Sequence, residues 1–281
     1  MQLRDDLIIQ LKSIISDDLN QTNATVIPST EGVELSGGSK TLDATFLYAD
    51  LAESSYIVKN FDWKISVRII KAYLACMCKL IRFYKGNIVS FDGDRVMGVF
   101  IGDNKNSRAT LCALKMGYVL SSLINPRFTN YFKRIKKPYK ICHCVGIDTS
   151  NVTAVKAGIR GSNDLVWIGA APNFAAKLSE QRFGNFNTYI SESVYNCLNE
   201  SLTYLDKSMK LSDLYFRDKS FGLFGLLEPL MNNSQPDPVI IPDYWGLLTN
   251  NIIKKNIWEI FHLDESDKTP HIYRSNYHYI I

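Results

Sequence analysis

Two aspartates follow β-prone stretches of this sequence and together can act as ligands of divalent metal ions. Asp50 ends the apolar run 45–49, and Asp94 follows an Asp-Gly pair that predicts a hairpin turn. Both carboxylates are therefore expected where the backbone turns away from a sheet. Mg²⁺ takes oxygen ligands and usually keeps one or two protein carboxylates plus substrate phosphates, so the pair suits a nucleotide-processing site. Each aspartate taken alone is more typical of a solvated turn or a helix N-cap.

A third polar segment adds an amide and a cation to the two carboxylates. The β-prone run 165–168 gives way at Gly169 to a helix-prone segment that carries Asn173 and Lys177. These two residues are four positions apart, so a helix places them one turn apart on the same face. The sequence thus predicts an amide and a cation that point in one direction.

The three segments, in this order along the chain, resemble the catalytic domain of class III nucleotide cyclases. They are FLYADLAESS (46–55), SFDGDRVMGVF (90–100) and WIGAAPNFAAKLSE (167–180), and the resemblance covers about residues 40–200. It implies that Asp50 and Asp94 bind two divalent ions, Mn²⁺ or Mg²⁺, with the backbone carbonyl of Leu51 as a further ligand. It also implies that Asn173 orients the ribose. Lys177 replaces the family's usual arginine and keeps its positive charge, but lacks the planar fork of donors.

The positions that read the base in purine cyclases differ here. The family's adenine-reading Lys and Asp are replaced by Ser90 and Val166, and neither residue supplies a carboxylate for guanine. Tyr48 lies two residues before Asp50, so both side chains point to the same face of the strand. A phenol at the wall of the base pocket favours a one-ring pyrimidine, whose carbonyl can bond the Tyr48 hydroxyl or Arg95. The alternative is a Tyr48 packed in the sheet, with its hydroxyl bonded to backbone.

Further segments narrow the resemblance to the pyrimidine nucleotide cyclases of bacterial Pycsar anti-phage systems. They are FDGDRVMGVFIGD (91–103), GIRGSNDLVW (158–167), NFAAKL (173–178) and IYRSN (272–276). The resemblance implies cyclisation of UTP or CTP to the 3′,5′-cyclic monophosphate, as an alarm signal for a separate effector. It further implies a homodimer with composite active sites. UTP is favoured over CTP, and a purine cyclase and a non-catalytic nucleotide-binding homologue remain alternatives.

Composition and charge set broad limits on these interpretations. The 281 residues are 46% hydrophobic, enough for one large core, and the net charge of +4 suits a triphosphate substrate without indicating a nucleic-acid partner. The basic run 133–137 is interpreted as a solvated helix end or loop. Six cysteines in a chain of this length favour reduced thiols. Neither a signal peptide nor a membrane-spanning run is recognisable, so a soluble, cytoplasmic protein without a membrane partner is expected.

The elements that must position these residues follow the order strand, helix, hairpin, helix, strand, strand, helix, strand. This order predicts an α+β sheet with helices on one face, the ferredoxin-like core that the cyclase resemblance implies. Apolar periodicity predicts helices over 2–20, 63–84 and 108–124, the last ending at Asn125-Pro126. We expect an N-terminal helix and linker (1–43), a catalytic domain (44–200) and a C-terminal extension packed on the core (201–281). Candidate cations for the triphosphate are Lys210, Arg217 and Lys219.

Overall fold

A computed structural model describes residues 2–182, 187–199, 202, 204–206, 254–256, 258–261 and 272–275. The α-helices are α1 (Gln2–Ser16), α2 (Ser54–Asn60), α3 (Trp63–Phe83), α4 (Lys105–Tyr118), α5 (Asn125–Arg134), α6 (Ala170–Ser179) and α7 (Glu192–Tyr195), and a π-helical segment (Val119–Ile124) joins α4 to α5. The strands are β1 (Asn20–Asn23), β2 (Gly38–Leu51), β3 (Asn87–Asp92), β4 (Arg95–Ile101), β5 (His143–Ile159), β6 (Ser162–Ile168), β7 (Thr188–Ser191), β8 (Tyr204–Asp206), β9 (Lys254–Asn256), β10 (Glu259–Phe261) and β11 (Ile272–Ser275). The order from β2 to β7 contains the predicted strand-helix-hairpin-helix-strand-strand-helix-strand succession.

A mixed sheet forms the centre of the fold, in the order β10-β11-β7-β5-β2-β4-β3. β2 is an interior strand and pairs antiparallel with β5 on one side and with β4 on the other. β1 adds to β2 in parallel, β6 pairs with the second half of β5, and β8 pairs separately with β9. Because β11 pairs with β7, part of the predicted C-terminal extension belongs to this sheet. The division into three segments stays a prediction.

Both faces of β2 are buried over residues 44–47, because apolar side chains point to each face of the strand there. Leu47, Ala49 and Leu51 lie in one core cluster with residues of α3 and α4. Phe46, on the opposite face, lies in a second cluster with residues of α6. The expectation that the helices cover one face is therefore wrong, since α6 covers the other. A strand that is apolar on both faces needs cover on both.

The helix predicted to end at Asn125-Pro126 instead continues through the π-helical segment into α5. Pro126 lies in the first turn of α5, where its missing N–H needs no intrahelical partner. The side chain of Asn125 donates hydrogen bonds to the carbonyls of Leu120 and Ile141, at 3.1 and 2.8 Å. It also accepts one from the Ile141 amide at 2.8 Å, which ties the junction to the chain before β5.

The N-terminal helix is shorter than predicted and buries none of its residues. The basic run 133–137 ends α5 with its lysines and arginine exposed, which confirms its interpretation as a solvated helix end. None of the helices in the described ranges is long and apolar enough to span a membrane.

Candidate active site

The residues of the predicted metal edge form a row across four neighbouring strands. Asp50 at the end of β2 pairs with Arg95 of β4 on one side and with Cys144 of β5 on the other. Asp92 of β3 pairs with Arg95. Side chains of directly paired residues point to the same face of a sheet. The register therefore places two carboxylates and a guanidinium together on the face that α6 covers.

A second row lies next to the first, two residues further into each strand. Tyr48 pairs with Met97 and Gly146, and Ser90 of β3 also pairs with Met97. The period-2 expectation that Tyr48 and Asp50 share a face is confirmed by this register. Ser90 lies on the same face, two strands away from Tyr48.

Burial and neighbouring charges set the state of Asp50. Its side chain is only 16% exposed, and its Oδ2 accepts a hydrogen bond from Nη2 of Arg182 at 2.8 Å. Burial raises the pKa of the Asp50 carboxyl, the bond from Arg182 opposes the rise, and the negative charge of Asp94 adds to it. The negative charge of Asp94 therefore disfavours ionisation of Asp50, and a cation beside both carboxylates would favour it.

Asp94 occupies the turn of the β3–β4 hairpin, as the Asp-Gly pair predicted. Gly93 takes the first position of the two-residue turn with φ 60°, which suits glycine in a type II′ hairpin. The Oδ2 atom of Asp94 is buried and has no hydrogen-bond partner in the part of the chain that the structure describes. A buried carboxylate oxygen without a partner is costly, and a bound cation would satisfy it.

Tyr48 and Arg95 lie in contact beside the carboxylates. The Arg95 guanidinium lies 5.5 Å from the centre of the Tyr48 ring, within range of a cation–π interaction. It also donates hydrogen bonds to Asp92 at 2.9 Å and to Glu180 at 3.1 Å. Tyr48 is partly buried, and this burial raises the pKa of its phenol. Its hydroxyl therefore stays a neutral donor and acceptor.

Asn173 and Lys177 lie on the exposed side of α6, one turn apart as predicted. The buried side of the helix, which includes Ala171, Ala175 and Leu178, packs toward the sheet. The Asn173 side-chain amide donates a hydrogen bond to the Gly169 carbonyl of its own helix, at 3.4 Å. Within one chain, the amide and cation therefore face away from the sheet that carries Asp50.

The other predicted residues are placed as follows. The Leu51 side chain is buried in the cluster with α3 and α4, so only its backbone is available at the metal edge. Val166 is 44% exposed and lies on the face of β6 opposite to that of its neighbour Trp167. Trp167 shares its cluster with Tyr48, so Val166 does not share a face with Tyr48 within one chain. The predicted triphosphate cations, 210, 217 and 219, lie outside the described residues.

Two residues at the site were not identified from sequence. Glu180 and Arg182 follow α6 directly and reach the metal edge, where they bond Arg95 and Asp50. The sequence shows only a charged pair after a helix. A pairing between positions 132 residues apart leaves no local signal.

The oxygen donors at this edge fit divalent ions whose coordination shell is completed by the substrate. The described residues contain no group of three or more His, Cys, Asp or Glu side chains that could hold a metal. Asp50 and Asp94 with the Leu51 carbonyl supply oxygen donors, and Asp94 has an unsatisfied buried oxygen. Mg²⁺ commonly binds through one or two carboxylates and substrate phosphates, so this set suffices for a nucleotide-dependent site.

Curated relatives match most of the chain. A uridylate cyclase of Rhodovulum sp. (strain MB263) is 43% identical over 201 residues, covering 71% of this chain and 84% of the relative. A uridylate cyclase of Burkholderia cepacia is 40% identical over 206 residues, covering 73% and 88%. The chain belongs to the uridylate cyclase family. No protein-family model matches it.

The uridylate cyclase family shares its fold with class III nucleotide cyclases of other base specificity. An adenylyl cyclase-like ATP-binding protein of Pseudomonas aeruginosa superposes with a TM-score of 0.55 at 16% identity, over 71% of this chain and 44% of that one. A bacterial light-regulated adenylyl cyclase gives 0.52 at 20% identity, over 63% and 51%. A guanylyl cyclase gives 0.50 at 20% identity, over 57% and 80%. These likenesses confirm the predicted α+β class III cyclase fold.

Proposed function

We propose that this protein is itself a uridylate cyclase, which converts UTP to 3′,5′-cyclic UMP and pyrophosphate. The two adjacent cross-strand rows carry the proposal, because they bring the Asp50 carboxylate beside Arg95 and Tyr48 on one face. Relatives at 43% and 40% identity bear the name of this activity. Catalysis in the cytoplasm, where nucleoside triphosphates are made, is part of the proposal.

In the proposed site, Asp50, Asp94 and the Leu51 carbonyl hold two divalent ions, Mn²⁺ or Mg²⁺. When bound, such ions polarise the phosphates and lower the pKa of the ribose 3′-hydroxyl. The unsatisfied buried oxygen of Asp94 and the electrostatic coupling of the two aspartates support this role. The chain's own contribution is to hold the acceptor oxygens at the edge of a rigid sheet.

Tyr48 and Arg95 form the proposed base pocket. The Tyr48 ring limits the pocket to a single-ring base. The Arg95 guanidinium lies against that ring and donates a hydrogen bond to a uracil carbonyl. The bonds of Arg95 to Asp92 and Glu180 use two of its five N–H groups, so the others can bond the base. Ser90 and Val166 take the places of purine-reading residues without supplying their charges. A purine in this pocket would therefore leave more of its own polar groups without a hydrogen-bond partner than a pyrimidine would.

Asn173 and Lys177 are proposed to act on the substrate of a partner chain. They face away from their own sheet, so a two-fold homodimer can direct them at the carboxylate row of the second chain. Asn173 then orients the ribose by hydrogen bonding, and Lys177 balances the negative charge that develops at the α-phosphate. Two composite sites result, each with metal ligands from one chain and α6 from the other.

Mixing two inactive variants tests this arrangement. Chains with Asp50→Ala and chains with Lys177→Ala, unfolded together and refolded, form heterodimers with one intact site, so about a quarter of the wild-type activity should return. The matched control mixes Asp50→Ala with Asp94→Ala. Both changes damage the same half of the site, so no activity should return. Equal recovery in the two mixtures, or no recovery although heterodimers are detected, would contradict the composite site.

The product is proposed to be a second messenger that acts on a separate effector in anti-phage defence. The resemblance of residues 91–103, 158–167 and 173–178 to Pycsar cyclases supports this role. Cells that carry the protein with its effector should accumulate cyclic UMP after phage infection and resist the phage. Asp94→Asn should abolish both responses. Resistance that persists in this variant would contradict a signalling role for the product.

A further inference from the structure

Arg182 is a positive group in direct contact with a predicted metal ligand, Asp50. Its Nη2 donates to Oδ2 of Asp50 at 2.8 Å, while its Nη1 donates to the carbonyls of Ser179 and Gln181, each at 2.8 Å. These carbonyls lie at the C-terminal end of α6, where the helix dipole favours a cation. The guanidinium therefore bridges the end of α6 and the metal edge.

The two metal aspartates differ in this respect. Asp50 has Arg182 as an internal counter-ion, whereas Oδ2 of Asp94 is buried without a hydrogen-bond partner in the described ranges. A divalent ion that binds both aspartates must approach the same carboxylate that Arg182 now contacts. Two cations on one carboxylate repel each other, and the repulsion is stronger at a partly buried site than in water. Metal binding and the Arg182 contact therefore compete.

Once a metal ion has displaced it from Asp50, the Arg182 guanidinium is available to bind another anion. Its side chain is 38% exposed, against 16% for Asp50, so it can move outward while its base at the end of α6 stays in place. A nucleoside triphosphate brings several negative oxygens to this same edge of the sheet. The planar fork of a guanidinium suits phosphate oxygens in two places, which a lysine does not.

We propose that Arg182 neutralises Asp50 until a metal arrives and then exchanges this carboxylate for the triphosphate of the nucleotide. The proposal rests on the nucleotide cyclase site described above and adds a substrate-binding cation to it. Arg182 thereby acts in two opposite ways: it opposes the binding of metal alone, and it favours the binding of metal with nucleotide.

Binding measurements on the full chain test this exchange, with Arg182→Gln as the variant. Free Mn²⁺, followed by electron paramagnetic resonance without nucleotide, should bind the variant about 3- to 10-fold more tightly, because a competing charge is gone. The non-cyclisable α,β-methylene analogue of UTP, titrated with saturating Mn²⁺, should bind at least about 10-fold more weakly, because a charge-assisted bond is lost. Arg182→Lys should keep Mn²⁺ affinity near the wild-type value and lose part of the analogue affinity.

Arg68→Gln is the matched control, since Arg68 is an exposed arginine on α3, across the sheet from Asp50. It should change neither affinity. Unchanged or weaker Mn²⁺ binding in Arg182→Gln, or unchanged analogue binding, overturns the exchange. Asp50→Asn separates this failure from that of the proposed function. If Asp50→Asn leaves Mn²⁺ binding intact, the metal assignment itself is wrong; if it abolishes binding while Arg182→Gln is neutral, only the role of Arg182 is wrong.

Discussion

The substitution Gly146→Ala tests the close packing of α6 against β5. A Cβ atom at position 146 would lie closer than 3.0 Å to the Ala175 carbonyl oxygen, the Ser179 amide nitrogen and the Leu178 Cβ. Two of these atoms are backbone of α6 and cannot rotate away. The helix must therefore move off β5 by about 1 Å to restore ordinary van der Waals contact.

The cost of this movement follows from packing. Overpacking a closed contact typically costs about 1–3 kcal/mol, and because backbone is involved we expect about 3 kcal/mol for Gly146→Ala. Alanine favours a strand over glycine by about 0.5–1 kcal/mol, and this gain offsets part of the destabilisation caused by the overpacking. Since α6 carries Asn173 and Lys177, a shift of about 1 Å should also reduce kcat by about 100-fold.

Gly98→Ala is the matched comparison. Position 98 is a glycine of β4, two strands from β5, and the nearest atoms to its Cβ would be side-chain carbons of Ile81 at 3.1–3.2 Å. Those atoms can give way, so we expect a stability change within about 1 kcal/mol and nearly normal kcat. Urea unfolding followed by circular dichroism gives the free energies, and initial rates with UTP give kcat. If the two variants are equally stable and equally active, α6 does not lie on Gly146 and the reasoning is refuted.

Two further predictions concern the base pocket and the half-buried Lys115. Tyr48→Phe should keep the pyrimidine preference, whereas Tyr48→Ala should raise kcat/KM for GTP relative to UTP; an unchanged ratio in the alanine variant would mean that the ring is not the size filter. Burial lowers the pKa of Lys115 from 10.5 to about 8. Between about pH 8 and pH 10.5, the unfolded chain therefore holds a proton at this amine that the folded protein has lost. The contribution of Lys115 to the free energy of unfolding consequently rises with pH over this range. Relative to Lys115→Met, the wild-type free energy of unfolding should therefore rise between about pH 8 and pH 10.5 in urea unfolding; a difference between the two proteins that is independent of pH would contradict this assignment.

Local patterns predicted much of the arrangement around Asp50. The period of two along β2 placed Tyr48 and Asp50 on one face, and the Asp-Gly pair placed Asp94 in a hairpin turn. Helical spacing placed Asn173 and Lys177 on one side of α6. Each of these inferences depends on residues close together in sequence, and the structure agrees with each.

The features that depended on distant residues were not predicted. At the junction of the π-helical segment with α5, Asn125 bonds Ile141, 16 residues away, and a local helix-ending signal does not report that contact. The position of α6 on the second face follows from packing against Gly146, which local periodicity does not report. Likewise, Arg182 reaches Asp50 only through the folded path of the chain. The roles given to the site residues come from the family resemblance and remain predictions.

The central claim is that this chain cyclises UTP, and a single competition assay tests it most directly. Purified full-length protein is incubated with equal concentrations of ATP, GTP, CTP and UTP and with Mn²⁺, and the products are separated by chromatography and identified by mass. We predict 3′,5′-cyclic UMP as the main product, and its loss in Asp94→Asn. Cyclic CMP as the main product would reassign the base, and a cyclic purine or no product from correctly folded protein would contradict the claim.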